Sequence, residues 1–260
     1  MNQLDPILAT TRAEVERRRT AAPLSGLERA VARRAAAGDV RSFQAAIARP
    51  GLSLIAEHKR RSPSAGQIRD DLELEDVVRA YERGGAAALS ILTEGPNFGG
   101  LLDDLRAARL VSHLPLLRKE FVVDIYQVYE AFAAGADAIL LIVAALEDRE
   151  LSALHDEAIG LGLGVLVEVH DERELEVALD LAAALIGINN RDLKTLQVDT
   201  QRTFDLLPRV AGQALVVAES GFSRRDQLDA LEAAGVNGVL IGEALMRSPD
   251  IEAATLRLCL

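Results

Sequence analysis

The spacing of apolar residues changes character once along this chain, at Pro50–Gly51. Before that point Leu4, Ile7, Leu8 and Val15 fall near one face of a helix, and residues 2–48 predict a helical region. Pro23–Leu24–Ser25 interrupts it, and a second helix is expected from Gly26. Beyond Gly51 short apolar runs alternate with amphipathic stretches. The runs predict strands over Leu52–Lys59, Ala88–Thr93, Pro115–Lys119, Ala138–Val143, Gly164–Val169, Leu185–Asn189, Leu215–Glu219 and Gly238–Ile241. Between the first two, Leu74, Val77, Val78 and Tyr81 repeat as i, i+3, i+4, i+7, one face of a helix. Asp171 with Glu174, and Ser223 with Asp226, have the spacing of capping boxes that open later helices.

A weak internal repeat supports this alternation. Arg83–Gly84–Gly85–Ala86, Ala134–Gly135–Ala136–Asp137 and Ala234–Gly235–Val236–Asn237 each end a helix on a glycine and lead into an apolar run. Strands buried on both faces and joined by helical crossovers form a parallel sheet. Eight such units, in a chain of 260 residues, are expected to close into a single (β/α)₈ TIM barrel, which typically takes about 250. Residues 1–48 then form an N-terminal helical extension and 49–260 the barrel. An open doubly wound sheet is the structural alternative.

Composition narrows the partners more than the fold. Apolar residues make up 49% and aromatics only 3%, so Leu, Val, Ile and Ala must fill the core. The formal charge of −11 repels nucleic acid and anionic lipid, so neither is an expected partner. The one cysteine, Cys259, makes neither an internal disulfide nor a thiolate zinc site, which suits a reducing compartment. The first residues lack a signal pattern, and no uncharged apolar run reaches membrane-spanning length. A cytoplasmic monomer or homodimer is expected. Of 29 basic residues only Lys59, Lys119 and Lys194 are lysines, so a lysine here stands out as an ammonium preferred over a guanidinium.

The catalytic end of such a barrel is the C-terminal end of its strands. Side chains alternate faces along a strand, so Ile55, Glu57 and Lys59 share one face, with His58 opposite as a packed histidine. Leu117, Lys119 and Phe121 share another, which brings two of the three lysines to one mouth. Lys194 lies in a loop. Glu168 interrupts the apolar run Val165–Val169 on the face of Leu166 and His170, where it must meet a cation or titrate abnormally. Asn189 ends the sixth strand facing inward. Arg191 has two readings, a reach toward an anion or a loop ion pair with Asp192. Glu57 with Lys59 likewise reads as a reactive pair or as a structural plug. Gly221 and Gly242 follow the seventh and eighth strands, where barrels frequently hold phosphate on backbone amides. The loop Arg60–Gly66 is basic and hydroxylated, and reads either as a cover for an anionic ligand or as a solvated loop.

These residues together resemble one family. Ala56–Glu57–His58–Lys59–Arg60–Arg61–Ser62–Pro63–Ser64 looks like the signature of indole-3-glycerol-phosphate synthases. So do Leu117–Phe121, Val167–His170, Gly187–Leu193, Ala218–Gly221 and Leu240–Met246, over nearly the whole chain. The resemblance implies a carboxy-lyase of tryptophan biosynthesis. Its small phosphorylated substrate, 1-(2-carboxyphenylamino)-1-deoxyribulose 5-phosphate, undergoes ring closure, decarboxylation and dehydration to indole-3-glycerol phosphate, with no cofactor and no metal. By resemblance Lys119 is the general acid, Glu168 the catalytic glutamate, and Lys59 a carboxylate contact or second acid oriented by Glu57. Asn189 holds hydroxyls, while Glu219 and Ser220 line the pocket. Ser62, Arg191, Gly221, Gly242 and Glu243 surround the ligand, the last three near phosphate. Phe98 and Phe121 pack on its aromatic ring. A lysine desolvated near another cation is expected to have a lowered pKa. His58, Ala65 and Leu101 depart from the family pattern. Three other readings share the fold: a phosphoribosylanthranilate-isomerase-like sugar-phosphate isomerase, a Schiff-base aldolase, and a non-catalytic barrel that binds phosphorylated ligands.

Overall fold

The computed structural model describes residues 4–259; positions 2 and 3 of the expected first helix lie outside them. Eight parallel strands close into a (β/α)₈ TIM barrel. In chain order they are Ser53–His58, Ala88–Leu92, Leu116–Lys119, Ala138–Ile142, Gly164–Val169, Leu185–Asn189, Leu215–Glu219 and Gly238–Ile241. Each pairs with its neighbours in sequence, and the first pairs with both the second and the eighth. No described helix is long and apolar enough to cross a membrane.

Period-two alternation sorts the core into two shells. Ile55, Leu117, Leu140, Leu166, Leu185, Val217 and Leu240 point inward and pack with one another. Leu54, Ala56, Leu116, Ile139, Val167, Ile188, Val216 and Val239 point outward into the helix layer. Leu74, Val77, Val78 and Tyr81 are buried on the inner face of the helix Leu74–Arg83, as their spacing predicts. Gly85, Gly135 and Gly235 take left-handed backbone between helix and strand.

The N-terminal region differs from its expected outline. It forms three helices, Leu4–Ala21, Leu24–Ala37 and Phe43–Ile47, because left-handed Gly38 ends the second and Ser42 accepts the Ala45 N–H to cap the third. The second starts at Leu24, directly after Pro23, since proline is tolerated at a helix entrance. The first helix lays Leu4, Ile7 and Leu8 against the inward-facing cluster. The third inserts Phe43 and Ile47 into the opposite end of the barrel. There Gly164 and Gly238 leave room: a Cβ would stand 3.5 Å from Phe43 Cβ and 3.3 Å from Ile47 Cγ2.

Asp137, at the start of the fourth strand, ties this end together. It accepts from Arg34 at 3.0 Å, Arg109 at 2.8 Å, and the backbone N–H groups of Arg41 and Leu116 at 2.9 Å. Other local expectations change as well. Asp171 caps Glu174 N, but the Glu174 carboxylate turns back to His170 N rather than to its own cap residue. At the entrance of the helix Arg225–Ala234 Gln227, not Asp226, accepts from Ser223 and Arg224 N–H. Arg61–Ser62 and Gly66–Gln67 form a small antiparallel hairpin, too short to show as a periodic pattern.

Candidate active site

On five strands the inward row turns polar at its C-terminal end: Ile55 gives way to Glu57, Leu117 to Lys119, Leu166 to Glu168, Gly187 to Asn189 and Val217 to Glu219. These side chains meet at one mouth and line a cavity of about 420 Å³. Lys59, Ser62, Phe98, Phe121, Arg191, Ser220, Gly221, Gly242 and Glu243 line it too, so all the residues singled out as a site come together. The first N-terminal helix adds Leu4 and Ile7. Lys194 stays exposed in its loop, and His58 is buried on the outer side, where burial lowers its pKa to about 4.

Two lysines and three carboxylates form the centre. Lys119 Nζ donates to Glu168 Oε2 at 2.9 Å and stands 3.1 Å from Glu219 Oε2. Lys59 Nζ donates to Glu57 Oε1 at 2.7 Å. Asn189 Nδ2 donates to Glu168 Oε1 at 3.0 Å, while its Oδ1 accepts Arg191 N–H at 3.0 Å. Burial pulls the Lys119 pKa down, but Glu168, Glu219 and Glu57 outweigh it and raise it. The expected downward shift is therefore corrected, because carboxylates and not a second cation surround the ammonium. Burial would raise the Glu168 carboxyl, yet Lys119, His170 and Asn189 together hold it well below its ordinary range. Glu219 goes the other way. Burial first, then the Glu168 charge, pushes it up to about 7 against the pull of Lys119. Its Oε1 is buried and accepts from no group among the described residues.

Two glycines exist to make this crowding possible. A Cβ at Gly187 would lie 2.3 Å from Glu219 Oε1, and one at Gly242 would lie 2.6 Å from Glu57 Oε1. Gly242 thus clears space for a carboxylate as well as starting the short helix Glu243–Met246. Ser220 and Gly221 are both left-handed, which turns the chain sharply over the mouth. Glu243 points its carboxylate to Arg247 at 3.0 Å, and Arg247 lines the cavity. Arg247 is not among the residues expected from the sequence, although its i+4 spacing from Glu243 is visible there.

The basic first loop neither covers the cavity with its charges nor leaves them to solvent. Arg60 pairs with Asp104 at 2.8 Å, and Arg61 donates to Gly95 O and Pro96 O at 3.0 and 2.8 Å. Arg191 makes no ion pair with Asp192; it donates to Leu196 O at 2.9 Å, and Asp192 accepts Lys194 and Thr195 N–H instead. Phe98 and Phe121 stand 6.3 Å apart at 45°, an open aromatic angle on the cavity wall. Glu94 holds that wall by accepting Asn97 and Phe98 N–H at 2.7 and 2.9 Å.

Comparison with known proteins gives the family of the chain. A family model described as indole-3-glycerol phosphate synthase matches residues 4–258. The chain is 50% identical to indole-3-glycerol phosphate synthase 2 of Streptomyces coelicolor over 83% of its length and 84% of that protein. It is 47% identical to an indole-3-glycerol phosphate synthase of Nocardioides, over 99% of its length and 98% of that protein. Among solved structures it resembles a thiamine phosphate pyrophosphorylase from Pyrococcus furiosus, with TM-score 0.60, 18% identity, and coverage of 80% of this chain and 93% of that one. At that identity the likeness carries the fold alone.

Proposed function

Because the chain belongs to the indole-3-glycerol phosphate synthase family, we propose that its barrel mouth converts 1-(2-carboxyphenylamino)-1-deoxyribulose 5-phosphate to indole-3-glycerol phosphate by the following division of labour. Lys119 protonates the ketone oxygen as the ring carbon attacks it. Its raised pKa keeps it charged at neutral pH, and a substrate wedged between Nζ and the carboxylates weakens the interactions that hold that proton. Glu168, held ionised, takes the proton lost in the dehydration step. Lys59 faces the carboxylate that leaves as CO₂, and Glu57 aims it from 2.7 Å. Asn189 holds Glu168 and the sugar hydroxyls. Glu219, titrating near neutrality beside Lys119, shares the acid's proton.

Binding follows the walls of the cavity. The anthranilate ring lies in the angle between Phe98 and Phe121. Phosphate sits on the backbone turn Ser220–Gly221 and the start of the helix at Gly242, with Arg191 and Arg247 supplying charge and Ser62 closing the rim. Glu243 contributes its backbone there, since its carboxylate is turned to Arg247. The acidic surface and single cysteine fit a cytoplasmic enzyme acting on a small phosphorylated molecule. One observation carries the reading: Lys119 is clamped between Glu168 and Glu219 at the head of a phosphate-ready mouth.

The chain contains no Trp, so indole product would fluoresce over a low protein background. Incubation with the anthranilate deoxyribulose phosphate should produce indole fluorescence, and Lys119→Ala should abolish it. Ligand binding without product in the unaltered protein would favour the non-catalytic barrel instead.

A further inference from the structure

His170 is absent from the cavity wall but stands directly behind it. It follows the fifth strand and shares the face of Glu168. Its Nδ1 forms a hydrogen bond with Glu174 Oε2 at 2.9 Å, while its Nε2 stands 3.2 Å from Glu168 Oε1 as a charge contact outside hydrogen-bond geometry, so that this buried nitrogen has no hydrogen-bond partner among the described residues. Glu174 also accepts the His170 backbone N–H at 2.8 Å, so one carboxylate oxygen holds both ring and backbone. Asp171 in turn accepts Glu174 N–H at 2.9 Å. The charged groups facing the ring are Glu168 on its own strand, Glu174 on the helix Glu172–Asp180, and, beyond Glu168, Lys119 of the third strand.

A neutral imidazole has one N–H and one lone pair. Here both ring nitrogens face carboxylate oxygens. One tautomer would set its lone pair against Glu168, the other against Glu174. The imidazolium alone sets positive charge against both, bound to Glu174 through Nδ1 and in charge contact with Glu168 through Nε2. Burial disfavours that charge, but Glu168 and Glu174 outweigh burial and raise the pKa to about 9.

We propose that His170, held as an imidazolium by Glu174, is a positioning residue whose positive charge keeps the proton-accepting carboxylate Glu168 ionised. This rests on the assignment of Glu168 as the base above. Lys119 cannot do the work alone, because it gives up its charge when it acts as the acid. While Lys119 is neutral, His170 is the remaining positive charge against Glu168, and Asn189 supplies only a neutral donor. Glu174 is partly exposed on the helix side, outside the cavity, so the clamp is fastened from beyond the substrate site.

The sign of the pH effect follows. Below the His170 pKa the clamp is charged and Glu168 is held. As pH rises through about 9 the imidazole becomes neutral and kcat should fall. Glu174→Gln removes one of the two charges that sustain the imidazolium, so this alkaline limb should move down by about one pH unit, with KM little changed. His170→Gln keeps a neutral donor and cannot titrate. It should lower kcat about tenfold and erase the His170 limb. A purely structural role would lower activity without moving the limb.

The direct test is ring-nitrogen NMR on protein labelled at its histidines, with the His170 signal identified by its loss in His170→Gln or His170→Asn. Both His170 nitrogens should stay protonated to about pH 9 in the unaltered protein, and titrate lower in Glu174→Gln. A neutral His170 at pH 7, or kcat profiles with the same alkaline limb in all variants, would overturn the proposal. The NMR reading needs no turnover. An unaltered protein that makes no indole product while His170 is doubly protonated would count against the catalytic reading and leave the clamp standing.

Discussion

The two ends of this barrel treat a buried carboxylate in opposite ways. At the floor, Asp137 is fully buried and saturated: two arginines and two backbone N–H groups converge on it. At the mouth, Glu219 is nearly as buried, yet one oxygen has no partner among the described residues and its pKa is pushed up to about 7. A saturated carboxylate ties elements together. An incompletely satisfied one costs stability and stays available to a ligand or a proton. The floor joins the second N-terminal helix, the helix Leu102–Val111 and the third strand; the mouth concentrates charge where the barrel opens.

Breaking the mouth should remove activity and spare the fold. Glu168→Gln should lower kcat by about 10³-fold, and so should Lys119→Arg, which keeps the charge but holds its proton at any working pH. Thermal unfolding and indole fluorescence measured on the same samples test this; near-normal turnover in either variant would remove the role assigned. Breaking the floor should do the reverse. Asp137→Ala takes the buried carboxylate from Arg34 and Arg109, which keep the more exposed Asp39, and should cost about 3–5 kcal/mol in urea unfolding, while kcat per folded molecule stays normal. A kcat loss larger than the loss of folded protein would mean that the two ends are coupled.

The smallest effect sharpens the contrast through pH. Glu219 has a folded pKa raised from 4.5 to about 7. Below 4.5 folded and unfolded states are both protonated there, and the group contributes its full relative stability. As pH rises toward 7 that contribution is lost, because ionisation is easier in the unfolded chain. Glu219→Gln should therefore gain on the order of 1–3 kcal/mol at pH 8 and nothing near pH 4. A variant less stable than the parent at pH 8 would mean that pairing with Lys119 outweighs burial, and that the mouth holds no such strain.

Much of this contrast is legible in the chain and part of it is not. Glu57, Lys119, Glu168 and Asn189 stand out because each breaks an apolar run at a strand end, where period-two alternation settles which way it points. Arg60 and Arg61 look like ligand-binding charges, but their partners, Gly95 and Pro96 of the next loop and Asp104 in the first turn of the helix Leu102–Val111, are not revealed by spacing along the sequence. The Lys119 shift runs opposite to expectation for the same reason: its sign depends on which charges sit within a few ångströms, and these arrive from the fifth and seventh strands. His170 and Glu174 show only helix-entrance spacing, with nothing to say that the ring reaches back to Glu168. Leu4 and Ile7 read as a helix face, and only the path of that helix carries them to the mouth.

By itself the sequence determined the eight strands, their two faces, the closure into a barrel and the family, since all of these rest on local periodicity and on motifs contiguous in the chain. Only the tertiary structure decided which carboxylate is satisfied and which is strained, where the arginines spend their charge, and which residue stands behind Glu168. Those properties depend on the distance and desolvation of groups far apart in sequence, and electrostatic energy inside a protein is set by where groups lie in space and how deeply they are buried.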